Sequence, residues 1–437
     1  MSTSAKLKIW TAISVVIGCV IGSGVFVKPG RVLIAAGDSN SALLAWLCGG
    51  LISLAGGLTL AEISSRIPKT GGIYVYLEEL FGKVWGFMCG WVQALIYGPA
   101  LMSALSLYFA SLLLQFMAIQ DTSLIKPIAL LTLFTLASAT AYSTACGAII
   151  QNLTTFIKLI PIAILGIVGL VMGEAPIFNV TLPASDVPAA GMGVAILSTL
   201  WAYDGWVQVS NLAGELENPS KNLPRAIIFG LTGVIIAYIL VNMSLFHVVP
   251  VEQITLLNEK TASVAAETLF GPFGGKALSL GILISIFGCL NGNILTLTRV
   301  PYAMAERKAF PFSSFFSVLH SKFKTPVNSI VLKTIIASIM ILLLNPDRIT
   351  DIAMFIMYLF YALAFAGIVI VRRKFGVPEK GNYKVPFYPV IPAIACFGSL
   401  YICYSMCTQQ PLDAAISILV ALSGVPVFYY LQKKNLK

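Results

Sequence analysis

Ile17-Gly18-Cys19-Val20-Ile21-Gly22-Ser23-Gly24-Val25-Phe26 and, far along the chain, Ser198-Thr199-Leu200-Trp201-Ala202-Tyr203-Asp204-Gly205-Trp206 decide the fold. Both lie within apolar stretches long enough to cross a bilayer, and both interrupt them. Gly18, Gly22 and Gly24 each weaken a helix interior by about 1 kcal/mol. Gly205 beside Asp204 breaks the second stretch in the same way. Non-helical backbone at membrane depth is tolerated only where protein or a water-filled cavity covers it. Each break frees N–H groups that attract anions at a half-helix N-terminus and carbonyls that attract cations at a C-terminus. Two facing breaks thus suit a zwitterion. The plainer alternative is that the glycines only let two helices pack closely. Breaks in corresponding places of two halves favour a transporter built from inverted repeats.

The rest of the chain supports a membrane setting. It has 437 residues, 58% hydrophobic and 11% charged, with a mean hydropathy of +0.89. Soluble domains are about 25% charged, so a water-soluble fold, disorder, collagen and coiled coil are excluded. The apolar runs are continuous rather than alternating, against a β-barrel. The net charge of +10 fits Lys and Arg gathered in cytoplasmic loops, with no nucleic-acid partner. Eight cysteines lie in or beside apolar runs without metal-site spacing, and neither a P-loop nor a cleavable signal is present.

About 20 apolar residues cross the hydrocarbon core. On that measure the fold class is all-α and polytopic, with twelve transmembrane segments. They lie near 8–34, 41–65, 84–117, 124–144, 147–173, 190–214, 223–249, 272–304, 326–345, 349–373, 387–408 and 411–431. Helices 1 and 6 are the interrupted ones, which gives a 5+5 repeat. The first five-helix unit occupies 1–173, the second 190–373, and two additional helices with a tail occupy 387–437. Placing the N-terminus inside puts most of the Lys and Arg in inner loops, with Arg372, Arg373 and Lys374 among them. Both termini are then cytoplasmic. Asp38, Glu174, Asp186, Glu252 and Asp347 lean to the outer side.

Lys158, Arg299 and Lys333 fall within the segments. Lys158 lies about 16 Å along its helix, too deep to snorkel, so it needs a partner inside the bundle. The choices are a structural ammonium tying helices together or a functional one. Arg299 and Glu306 read as interfacial, and Glu62 as structural. Tyr238 and Asn242 share a helix face. His247 and His320 do not make a metal site, and no cofactor is implied.

Gly22-Ser23-Gly24-Val25-Phe26 matches the G-S-G-[IV]-F signature of the amino acid–polyamine–organocation superfamily. Ile67-Pro68-Lys69-Thr70-Gly71-Gly72-x-Tyr74-x-Tyr76, Glu215-x-x-Asn218-Pro219 and Leu223-Pro224-Arg225-Ala226 come next, in that superfamily's order. Over essentially its whole length the chain resembles the L-amino acid transporter family, and bacterial exchangers within it. The resemblance implies the leucine-transporter fold. It also implies sodium-independent exchange of small neutral L-amino acids across a bacterial plasma membrane: alanine, serine, cysteine, and threonine or glycine.

Carried over by motif, Val20, Ile21, Gly22, Ser23 and Gly24 meet the substrate carboxylate through backbone amides. Trp201, Ala202, Tyr203, Asp204 and Gly205 form the second half of the site, with carbonyls for the ammonium and Trp201 as a gate. Asp204 departs from the glycine of many relatives, and it either sees substrate or caps the second half-helix. Lys158 takes the place of a sodium ion and bridges helix 1 to helix 8, where Ser285 and Asn291 are candidate partners. Tyr238 faces the site from below. The stretch 116–124 has no Cys for a disulfide to a glycoprotein, so no heavy subunit is expected. The rival within the class is proton-coupled uptake with Lys158 titrating. A membrane-embedded enzyme lacks clustered carboxylates or histidines, and a receptor or channel is the third class.

Overall fold

The computed structural model describes residues 9–67, 72–142, 150, 153–154, 157–182, 191–209, 216–323, 325–378 and 383–435. Within them the chain is helical. In order the helices are α1 Ile9–Val20, α2 Gly24–Val27, α3 Pro29–Ala36, α4 Ser39–Arg66, α5 Ile73–Phe81, α6 Lys83–Val92, α7 Gly98–Phe116 and α8 Ile125–Tyr142. They continue as α9 Leu159–Met172, α10 Gly191–Tyr203, α11 Pro219–Val248, α12 Val251–Leu257, α13 Thr261–Leu297 and α14 Arg299–Glu306. The last are α15 Ser313–Phe316, α16 Val327–Leu343, α17 Pro346–Phe375, α18 Val390–Gln409 and α19 Pro411–Asn435.

Among the described residues, eight helical stretches are long and apolar enough to span a membrane. The bent pair 12–27 and 29–36, turned by 62°, makes a ninth. The shorter apolar helices α9 and α16 fall where the fifth and ninth segments are expected. Exposed apolar side chains such as Leu131, Phe134, Ile167, Val171, Leu419 and Leu422 cover the outside. In water such a surface is unstable, whereas lipid is its matching solvent.

Two boundaries differ from the sequence reading, each for a local reason. The eighth segment is a single run in the sequence, but α13 stops at Leu297 and α14 restarts at Arg299. The helix also starts ahead of that segment, at Thr261, and kinks at Gly271, φ 66°, immediately before Pro272, whose ring cannot continue a helix. The third segment holds a π-helical turn, Gln93–Tyr97, between α6 and α7.

The site is set by two groups of helices. One gathers α1, α4 and α9 around α11, with α10 against α3 and α4. The other gathers α7, α8, α13 and α16. Glu62 in α4 is buried and ties the first group to α17. Both of its oxygens take Arg372 N–H donors at 2.8 Å, and one also takes the Val385 amide at 2.7 Å. This is the structural role its position indicates.

Candidate functional site

Helix 1 stops at Val20 and resumes at Gly24. Helix 6 stops at Tyr203, turns at Asp204 and Gly205, and continues as a short tight helix through 206–209. The two breaks lie against each other. A Cβ added at Gly24 would overlap Cα and Cβ of Ala202. One added at Gly205 would sit 2.7 Å from the Cys19 carbonyl oxygen, and Gly205 holds φ +109°, a region that L side chains rarely adopt. One added at Gly22 would sit 2.5 Å from Cys289 Sγ. The glycines therefore serve close packing as well as an open backbone. A side chain at Gly24 would meet helix 6 before it met any ligand.

A narrow cavity lies between the breaks. Val20, Gly22, Ser23, Gly24, Trp201, Asp204 and Gly205 line it, seven of the residues singled out from the sequence. Ile21, Ala202 and Tyr203 stand behind this lining. Tyr203 is buried against Trp46 and Tyr238, with ring centroids 6.1 and 5.1 Å away. Tyr238 from α11 has its hydroxyl 3.1 Å from both the Val20 and the Ala202 carbonyl oxygens. One phenol thus spans the last turn of the first half of each broken helix. Such carbonyls have no intrahelical partner, and Tyr238 supplies one.

The helix N-terminus at Gly24 presents amides that lack intrahelical acceptors, and beside it the buried Ser23 Oγ has no hydrogen-bond partner among the described residues. Ser285 in α13 donates to the Gly22 carbonyl at 3.2 Å, holding the break to helix 8. Lys158, fully buried immediately before α9, donates from Nζ to the Gly18 carbonyl. The ammonium therefore sits on the last turn of α1, next to the break.

Four lining residues lie beyond the sequence reading of the site: Gln208, Asn293, and the pair Leu101 and Leu105. Cys19 and Cys289, which the sequence marks as packing residues, line it too. Gln208 Nε2 donates to Asn293 Oδ1 at 3.3 Å, and its Oε1 takes the Thr296 hydroxyl at 3.2 Å. The sequence reading names Asn291, in the same turn, only as a candidate partner of Lys158; Asn291 is buried, and Asn293 is the one that lines the cavity. Residues two apart on a helix point about 200° apart, so which face meets the cavity is set by the partner helix. Leu101 and Leu105 are one turn apart on α7 and form an apolar wall.

Asp204 lines the cavity and accepts a hydrogen bond from the Tyr97 hydroxyl of the π-turn. Arg299 is exposed at the start of α14, and Glu306 takes the Tyr302 hydroxyl at 2.5 Å. At the end of the molecule carrying α3, Lys28 is fully buried. It bonds Asp347 at 2.6 Å and Thr350 at 2.9 Å, while Arg31 pairs with Asp351. Among the described residues no group of three His, Cys, Asp or Glu is placed to hold a metal. Pro68 to Gly71, Glu215 and Cys146 lie outside the described residues.

Comparison with known proteins identifies the family. The family model described as amino acid permease matches residues 7–428. The serine/threonine exchanger of Bacillus subtilis (strain 168) is 46% identical, over 97% of this chain and 96% of that protein. The human cystine/glutamate transporter is 30% identical, over 97% of this chain and 84% of its own length. The human b(0,+)-type amino acid transporter 1 is 29% identical, over 98% and 88%. With its membrane-spanning helices and two facing breaks, the chain belongs to the amino acid permease family, in the L-amino acid transporter branch of the amino acid–polyamine–organocation superfamily.

Proposed function

We propose that this protein is a secondary transporter that exchanges small neutral L-amino acids, serine and threonine foremost, by alternating access and without sodium. The observation that carries this reading is the pair of breaks around one narrow cavity. Amides at Gly22–Gly24 suit a carboxylate, and carbonyls at the end of α10 suit an ammonium. Trp201, Leu101 and Leu105 leave room for a short side chain only, while Gln208, Asn293 and Asp204 offer partners for a hydroxyl. The exchanger of Bacillus subtilis, similar over nearly the whole chain, supports the substrate class. Lys158 places a fixed positive charge at the Gly18 carbonyl, so helix 1 needs no sodium ion for that purpose. The transporter has twelve spans in a 5+5 inverted repeat with two further helices after it, and it sits in a bacterial plasma membrane with both termini in the cytoplasm.

Counterflow in proteoliposomes tests this. Vesicles preloaded with serine should take up labelled serine, threonine and alanine, equally with sodium or choline outside. Uptake into vesicles empty of amino acid, driven by an alkaline interior, would instead establish proton-coupled transport.

A further inference from the structure

Lys333 on α16 is fully buried, like Lys158, yet the cavity does not contain it. Its Nζ donates to the Leu297 carbonyl at 2.6 Å and to the Gln93 carbonyl at 3.1 Å. No charged group lies close to it among the described residues. Burying an ammonium without a counter-ion is costly, so its two acceptors should matter to the fold around them. Both are unusual carbonyls. Leu297 is the last residue of α13, one residue ahead of α14. Gln93 opens the π-turn of helix 3, and its oxygen also takes the Gly98 N–H.

The π-turn has a cause in the sequence. Pro99 has no N–H, and its ring would collide with the carbonyl four residues back. One extra residue per turn relieves the collision, and π-turns often stand at functional sites. Gly98 completes the arrangement, because a Cβ there would overlap Lys333 Nζ. The last residue of the turn is Tyr97, and its hydroxyl donates to Asp204 on the cavity wall. An extra residue rotates everything after it by about 100°, so winding at Gln93 decides whether Tyr97 reaches Asp204.

We propose that Lys333 is a positioning residue of the cavity: its ammonium holds the π-turn of helix 3 and thereby aims Tyr97 at Asp204. Its effect on substrate rests on the exchange reading; its effect on helix 3 does not. The test pairs Lys333→Met, which keeps length and loses the donors, with Tyr97→Phe. Serine affinity is measured by calorimetry on the full chain in nanodiscs. Lys333→Met should weaken serine about tenfold in the wild-type background and less than twofold in the Tyr97→Phe background, since both changes remove one interaction. Equal losses in the two backgrounds would overturn the proposal and leave Lys333 as general scaffold. If Lys333→Met is not monodisperse, Lys333→Gln takes its place. The amide keeps a donor, and its smaller loss should vanish in Tyr97→Phe in the same way; equal loss in both overturns the proposal. A cryo-EM structure of either variant reads the geometry with no substrate present. The turn at 93–97 should shift, without becoming regular α-helix because Pro99 remains, and Tyr97 should leave Asp204. An unchanged turn with Tyr97 still on Asp204 overturns the proposal, whatever the transported substrate proves to be.

Discussion

Lys158 and Lys333 are two buried amines on backbone carbonyls, each at an irregular stretch of helix, and they serve different irregularities. Lys158 bonds the last turn of α1 beside a glycine break that itself lines the cavity. Lys333 bonds a π-turn whose backbone never reaches the cavity and which acts only through Tyr97. Lys28 is equally buried but pairs with a carboxylate, Asp347. The difference lies in the partner. A buried lysine with an acid partner joins helices. One without an acid partner among the described residues sits on main-chain carbonyls at an irregular stretch of helix. Its role is direct where that stretch lines the cavity, and indirect where a side chain must carry the effect there.

That contrast can be broken most severely at the glycines. Gly205→Val imposes a β-branched side chain at φ +109° and drives its Cβ against the Cys19 carbonyl. Transport should fall by more than about 100-fold, because both strain and overlap oppose the facing breaks. Retained uptake by a monodisperse variant would remove the facing breaks from the account. Lys158→Ala comes next. It deletes a charged hydrogen bond to Gly18, typically about 1.5–3 kcal/mol, so turnover should fall on the order of 10- to 100-fold. Serine affinity should change less, since Lys158 does not line the cavity; an affinity loss larger than the turnover loss would move Lys158 into the binding site. Trp201→Ala should have the smallest effect, with serine binding weakened about tenfold and larger side chains such as leucine admitted. Unchanged selectivity would show that Trp201 is a packing residue.

The legible parts of the sequence are those with a pattern at two places. Gly22–Gly24 and Asp204-Gly205 each interrupt an apolar run, and Lys158 is a lone charge in mid-run. Lys333 lies only six residues into α16, about 9 Å from its start, where a lysine ordinarily snorkels. Its depth becomes visible only when helices 3 and 8 close over it. Gly98-Pro99 is the one local signal for the π-turn. Asn293 is hidden because polar residues at 291 and 293 face opposite sides, and only the neighbouring helix says which side holds the cavity. Tyr97 and Asp204 are 107 residues apart, and no local pattern pairs them.

On the proposed function, backbone groups of the two breaks bind both charges of an amino acid. Binding of L-serine to the purified protein, compared with serine methyl ester and with 3-hydroxypropionate, tests it most directly. The ester removes the carboxylate charge, and the acid removes the ammonium. Each loss leaves buried polar groups unpaired, so each analogue should bind about 100-fold more weakly, about 2.7 kcal/mol. Either analogue binding as tightly as serine would contradict the account.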